Sequence, residues 1–189
     1  MSTSPLAVDA SAAVAAPRGG KYLTFYLADE EYGVEILKVQ EIIGLQPITR
    51  VPRTPASIRG VINLRGKVIP IMDLRERFGM TSAEASLVGL GEAEVAAAEA
   101  VRCIIVVQVA APNGQSVPVG IVVDRVSEVS AIAEGDIEDA PSFGANVKTE
   151  YLLGLGKSRV ADGHGRVKLL LDIDRVLSTT ELEQLPGAA

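Results

Sequence analysis

The chain has no tryptophan and few aromatics of any kind, four Tyr and three Phe in 189 residues. A core built from this sequence must therefore consist mainly of Val, Ile, Leu and Ala. There is one cysteine, Cys103, which allows no internal disulfide and fits a reducing compartment. Cys103 lies in an apolar run, where a thiol reads as a small hydrophobe. The single histidine, His164, is flanked by glycines, so no second imidazole exists for a metal site and His164 reads as a turn residue. No apolar run approaches the ~20 residues that cross a bilayer as a helix. Basic residues are in deficit, 18 against 24 acidic ones for a net charge of -6, which argues against a nucleic-acid partner. Catalytic signatures are missing as well. There is no G-x-S-x-G, and Gly154 to Ser158 ends like a phosphate loop but has Tyr151 where that loop needs glycine. The acidic run at Glu134, Asp136, Glu138 and Asp139 reads as a solvated face. These absences leave no enzyme site to build on and point to a protein that works by binding.

What the chain does have is many short apolar runs separated by Gly and Pro. Leu23, Phe25 and Leu27 alternate with Tyr22, Thr24 and Tyr26, the period of a strand that begins at Tyr22. Asp29 to Gly33 reads as a hairpin connection and Val34 to Ile36 as its return. Leu37 to Ile43 fits either a strand or a short helical turn, and Gly44 ends it. Thr54 has the chemistry of a cap for a short helix, with Pro55 first and Gly60 just past its end. Arg75 to Gly79 fits one helical turn capped by Asp73. Further strands are expected at Arg102 to Ala110, Val117 to Val123, Val126 to Ile132, Tyr151 to Leu155 and Val167 to Leu171. Turns fall at Pro112-Asn113-Gly114 and Ala161 to Gly165. The chain closes with a helix in which Ser178 and Glu181 have capping-box spacing and Leu182 and Leu185 share a face. Little helix and many short strands predict a mainly β fold of barrels or sandwiches.

Two segments differ in character. Residues 1–20, rich in Ala and Ser without a basic start, read as a disordered tail and not as a signal peptide. Residues 81–100, T-S-A-E-A-S-L-V-G-L-G-E-A-E-V-A-A-A-E-A, read as a mobile, solvated linker with a short helix from Glu92 to Ala100.

The stretch Ile58 to Leu74, I-R-G-V-I-N-L-R-G-K-V-I-P-I-M-D-L, organises the rest. Its runs Val61 to Leu64 and Val68 to Leu74 flank Arg65-Gly66-Lys67, which predicts a hairpin with Gly66 supplying a positive φ. Asn or Asp would be ordinary at the tip. Arg65 instead puts a permanent charge and a five-donor planar fork there.

With its surroundings this hairpin resembles the CheW-like chemotaxis coupling proteins. The ordered matches are F-Y-L-A-D-E-E-Y-G-V-E-I-L-K-V (Phe25 to Val39), V-Q-E-I (Val39 to Ile42), I-R-G-V-I-N-L-R-G (Ile58 to Gly66), V-I-P-I-M-D-L-R (Val68 to Arg75), V-G-I-V-V-D-R-V-S-E-V (Val119 to Val129) and T-E-Y-L-L-G-L-G (Thr149 to Gly156). The resemblance implies one CheW-like domain over residues 21–186. Its fold would be two small SH3-like five-stranded β-barrels side by side with a C-terminal helix. It also implies a cytoplasmic, non-enzymatic adaptor with no cofactor, recruited to membrane receptor arrays without inserting in the membrane. The implied partners are the cytoplasmic tips of chemoreceptors and the regulatory domain of the histidine kinase CheA, together with ring-forming copies of the adaptor itself. A related non-flagellar signalling array, such as one for twitching motility, is the alternative setting. Val39, Glu41, Gly60, Asn63 and Arg65 fall on family positions tied to receptor contact or to shaping that surface. Glu41 and Arg65 are expected to lie close together. They would then orient the guanidinium for a partner, or else only tie the hairpin to its neighbour.

Overall fold

The computed structural model describes residues 17–111, 114–141, 149–157 and 165–177. The expected closing helix at Ser178 and Glu181, most of the tail, His164 and part of the Asn113 turn lie outside these residues.

Eleven strands form two sheets among the described residues. Sheet A contains β1 (Gly20–Leu27), β2 (Glu30–Glu35), β8 (Arg125–Ile132), β9 (Ile137–Glu138), β10 (Leu152–Lys157) and β11 (Val167–Leu171), in the order β8-β1-β2-β11-β10-β9. Sheet B contains β3 (Val39–Gly44), β4 (Ile58–Leu64), β5 (Lys67–Asp73), β6 (Cys103–Ala110) and β7 (Ser116–Val123), in the order β3-β6-β7-β5-β4. The fold is mainly β with two small sheets, as expected. Sheet B has five strands, whereas sheet A has a sixth because the two-residue β9 pairs with β10.

Each sheet closes on itself through its edges. In sheet B, Thr49, just beyond β3, exchanges both backbone hydrogen bonds with Val61 of β4, at 2.9 and 2.8 Å. In sheet A a 3₁₀ turn at Glu134–Asp136 carries the chain from β8 to β9. Arg18 ties down that end, bonding Asp139 and the Leu153 carbonyl while Gly19 N donates to Glu134. Ordered chain therefore starts before Tyr22, because these three partners hold residues 18–19 in place.

Both sheets use the same device for their one parallel pairing. β5 runs parallel to β7 and ends at Asp73, whose carboxylate accepts from the first amides of the short helix α1 (Leu74–Arg77). β11 runs parallel to β2 and ends at Leu171, and the next residue, Asp172, caps α4 (Ile173–Val176) in the same way. A side chain that accepts from these amides satisfies donors a helix start leaves unpaired.

The main core lies between the sheets. Leu23, Phe25, Leu27 and Val34 of sheet A pack with Met72, Ile105, Val107, Val119, Ile121 and Val123 of sheet B. A second core fills barrel B with Ile62, Ile69, Ile71, Ile104, Val106 and Val122. Strands β6 and β7 thus bury both faces, which is why their sequences are continuous apolar runs without alternation. Gly120 in β7 marks a close approach by a β5 side chain, since a Cβ there would sit 2.4 Å from Ile71 Cδ1. Four of the seven aromatics stack in one row, Phe25–Tyr32–Phe78–Tyr151, with centroid separations of 6.1, 5.8 and 4.9 Å. Cys103 is half-buried, and burial pushes its thiol pKa up, in keeping with an inert thiol.

Three local expectations are corrected. β2 begins at Glu30, so the β1–β2 connection is only Ala28-Asp29. Glu31 is a strand residue because Lys168 of β11 meets its buried carboxylate at 3.2 Å. No helix follows Thr54: Ile58 N bonds the Pro55 carbonyl as a turn, Ser57 accepts from Asp73 N, and β4 starts at once. Residues 81–100 are also not a free linker. α2 (Ala83–Ser86) buries Ala83, and its Glu84 bonds Arg59 of β4. α3 (Glu92–Val101) matches the expected helix and buries none of its residues.

Candidate functional site

The segment Leu37 to Ile43, ambiguous in sequence, holds both of its candidate structures. Ile36–Lys38 is a 3₁₀ turn, and β3 follows. A register shift in the β3–β6 ladder between Val39 and Glu41 leaves Gln40 as an extra residue. A bulge of this kind turns the strand so that side chains on either side of it face different ways. Val39, opposite Val107, packs on the main core. Ile43, opposite Ile104, packs on the core of barrel B. Glu41, opposite Val106, thereby reaches the open end of barrel B.

The Arg65 hairpin forms as predicted, and its loop is two residues long, with Leu64 and Lys67 as the last pair. Arg65 and Gly66 have φ of 53° and 83°, the double positive φ of a type I′ turn. Asn63 holds the turn by accepting from Gly66 N at 2.9 Å. A non-glycine residue in the left-handed region costs ~1 kcal/mol, so Arg65 is not there for the turn's sake.

Its side chain crosses to β3. Arg65 Nη1 and Nη2 donate to the two Glu41 carboxylate oxygens at 3.1 and 2.8 Å, a two-pronged pair. β3 and β4 are the two edge strands of sheet B, so the pair spans the seam where the barrel closes. Exposure is lopsided. The Glu41 side chain is 18% exposed and that of Arg65 77%. The carboxylate is the fixed half, and the guanidinium presents its unused donors to solvent.

The pair sits over a hollow of about 240 Å³, shared with Gln40, Lys67, Gln108 and Pro118. Gln108 donates to Gln40 at 2.8 Å across the β3–β6 ladder. Nothing in the local sequence singles out these glutamines, and Lys67 is an ordinary residue for a turn. They belong to the site because the strands that carry them, β3, β5 and β6, converge there.

The five sequence-derived residues are not one cluster. Glu41, Asn63 and Arg65 meet at this end of barrel B. Val39 lies across the bulge, facing the main core. Gly60 is inside β4 with φ 141°, and a Cβ on it would be 2.1 Å from the Thr49 carbonyl oxygen. Gly60 therefore lets the chain after β3 lie against β4 and close the barrel. Among the described residues no group of three or more His, Cys, Asp or Glu could hold a metal. No helix there is long and apolar enough to cross a membrane.

The likenesses to known proteins are consistent with one another. Chemotaxis protein CheW of Klebsiella aerogenes is 42% identical over 90% of this chain and 89% of its own length. Chemotaxis protein CheW of Rhizobium meliloti is 34% identical, over 87% and 92%. Protein FrzA of Myxococcus xanthus is 30% identical, over 92% and 95%. Among solved structures, the scaffolding protein TtCheW from Thermoanaerobacter tengcongensis superposes with a TM-score of 0.65 at 31% identity, covering 87% of this chain and 92% of that one. The CheW-like domain family matches residues 21–181. The chain belongs to the CheW-like family of chemotaxis scaffold proteins, which are adaptors and not enzymes.

Proposed function

We propose that the Glu41–Arg65 clasp is the reading head of a docking surface through which this chain couples chemoreceptor tips to the histidine kinase CheA. One observation carries the reading: the Arg65 guanidinium is aligned by Glu41 yet three-quarters exposed. A cation held in position before its partner arrives loses little further freedom on binding. Helical receptor tips would lay apolar side chains along the surface, with Arg65 fixing register on a carboxylate or carbonyl. Asn63 contributes the turn geometry and Gly60 the closed barrel on which the clasp stands, while Val39, packed on the main core across the bulge, anchors β3 beside Glu41. The adaptor works in the cytoplasm, joins receptor arrays by these protein contacts, and pairs with like domains into rings.

Co-sedimentation with receptor-bearing membranes, with and without CheA, tests the reading. Arg65→Ala is expected to lose receptor-dependent sedimentation while keeping its fold. Unchanged sedimentation in both arms would remove the clasp from the interface. A second setting, a related non-flagellar signalling array, draws support from the likeness to Protein FrzA. It predicts that lysate pull-down recovers a receptor and kinase from outside the flagellar pathway.

A further inference from the structure

Arg102 follows α3 and is 7% exposed. Its Nε is the one buried side-chain nitrogen or oxygen among the described residues that has no hydrogen-bond partner within the protein. Its ion-pair partner among the described residues, Glu84, lies 3.7 Å from Nη1, and that carboxylate already accepts from Arg59 at 2.6 Å. A buried guanidinium donor left unmet is costly, so Arg102 Nε carries an unfilled demand for an acceptor.

Arg102 lines a cleft of about 360 Å³ between α2–α3 and two corners of the barrels, at Ala28-Asp29 and Asp124-Arg125. Arg125 is a second cation on the wall. Its guanidinium lies 3.9 Å over the Tyr26 ring and has no acidic partner within the described residues. Arg75 also lines the cleft, but its charge is met by Asp124 at 2.5 Å. Leu87, Ala98 and Val101 give the cleft an apolar lining as well.

We propose that this cleft binds a ligand presenting one carboxylate on a small apolar body. The carboxylate is met by Arg102 and Arg125, and the body rests on Leu87, Ala98 and Val101. Asp29, at the lip and without an ion pair among the described residues, selects a single charge, because its repulsion grows with each added negative charge. A monocarboxylate is thus preferred to a phosphate. The source is a free organic acid or the side-chain or terminal carboxylate of a protein. None of the residues lining this cleft lines the Glu41–Arg65 hollow, so the two sites stand or fall separately.

Amide NMR titration of the full chain with N-acetyl-leucine, and with neutral N-acetyl-leucinamide, tests the proposal. The acid is expected to shift the Val101, Arg102 and Arg125 amides saturably, and the amide to leave them in place. Arg102→Met should weaken the acid about tenfold, the loss of one charge-assisted hydrogen bond. Arg125→Gln, at an exposed position, should weaken it while leaving the thermal midpoint unchanged, which guards against misreading a folding defect. Much tighter binding of a peptide ending in leucine would identify a protein source, and equal binding a free acid. No saturable shift, equal shifts with the amide, or unchanged affinity in both variants would overturn the site.

Discussion

Replacing Arg65 by Asn separates the two things its side chain could do. The substitution removes a bidentate pair whose cation is mostly solvated. Exposed pairs contribute about 0.5–1 kcal/mol. It also relieves the left-handed strain at φ 53°, since Asn tolerates that region, recovering ~1 kcal/mol. Glu41 keeps some solvent access and can hydrate when its partner is lost. The opposing terms nearly cancel, so urea unfolding should place Arg65→Asn within about 0.5 kcal/mol of the parent, with an unchanged slope. Partner binding in the sedimentation assay should nevertheless collapse. A stability loss beyond about 2 kcal/mol would refute the reasoning, because the clasp would then be a strut holding the barrel seam. Unchanged stability with full binding would refute it from the other side.

Other expectations follow from the same geometry. Lys168, buried in barrel A, is held by Glu31 and Glu128 at 3.2 Å each and by Ser130 at 2.9 Å. Lys168→Met strands the Glu31 charge and should cost roughly 3–5 kcal/mol in chemical denaturation, whereas Lys168→Met with Glu31→Leu should recover much of that loss. Gly60→Ala drives a Cβ onto the Thr49 carbonyl; at least ~2 kcal/mol of destabilisation is expected, with faster hydrogen exchange at the Val61 amide. Glu84 has its pKa lowered from 4.5 to about 2, chiefly by its hydrogen bond from Arg59. A carboxylate depressed in the folded state stabilises above its unfolded value and loses that contribution as pH falls through the folded one. The urea-midpoint gap between the parent and Glu84→Gln should therefore be full near pH 6, shrink below pH 4.5, and vanish around pH 2; a gap independent of pH would exclude the Arg59 contact as its source.

Features set by neighbouring residues were readable in the sequence. The Arg65-Gly66 turn, the Asp73 cap, the β6 and β7 runs and the α3 helix all rest on short-range chemistry. The Glu41–Arg65 contact was reached through family resemblance, because the hydrophobic period around Glu41 is broken by the Gln40 bulge. The failures have a different origin. Glu31 resembled loop sequence because the lysine that makes its burial tolerable is 137 residues away (168 − 31). The Thr54 helix failed because β5 claims Ser57, a competitor invisible in the local string. Residues 81–100 looked unattached since their anchors, Arg59 and Arg102, lie outside that segment. The hollow beside Arg65 could not be read from any window, since all five strands of sheet B reach it.

The division of the sheets has a consequence for how the molecule comes into being. Barrel B is one continuous stretch, Val39 to Val123, whereas barrel A draws β1 and β2 from before it and β8 to β11 from after it. On a growing chain, barrel B can close while the ribosome is still adding the second half of barrel A. The β1–β2 hairpin, already made, must meanwhile wait with β1 unpaired on the edge that takes β8 and β2 unpaired on the edge that takes β11. Contacts of such long sequence separation form late, and exposed apolar strands are where nascent chains go astray. The hairpin that opens the fold is among the last elements to have both of its edges paired.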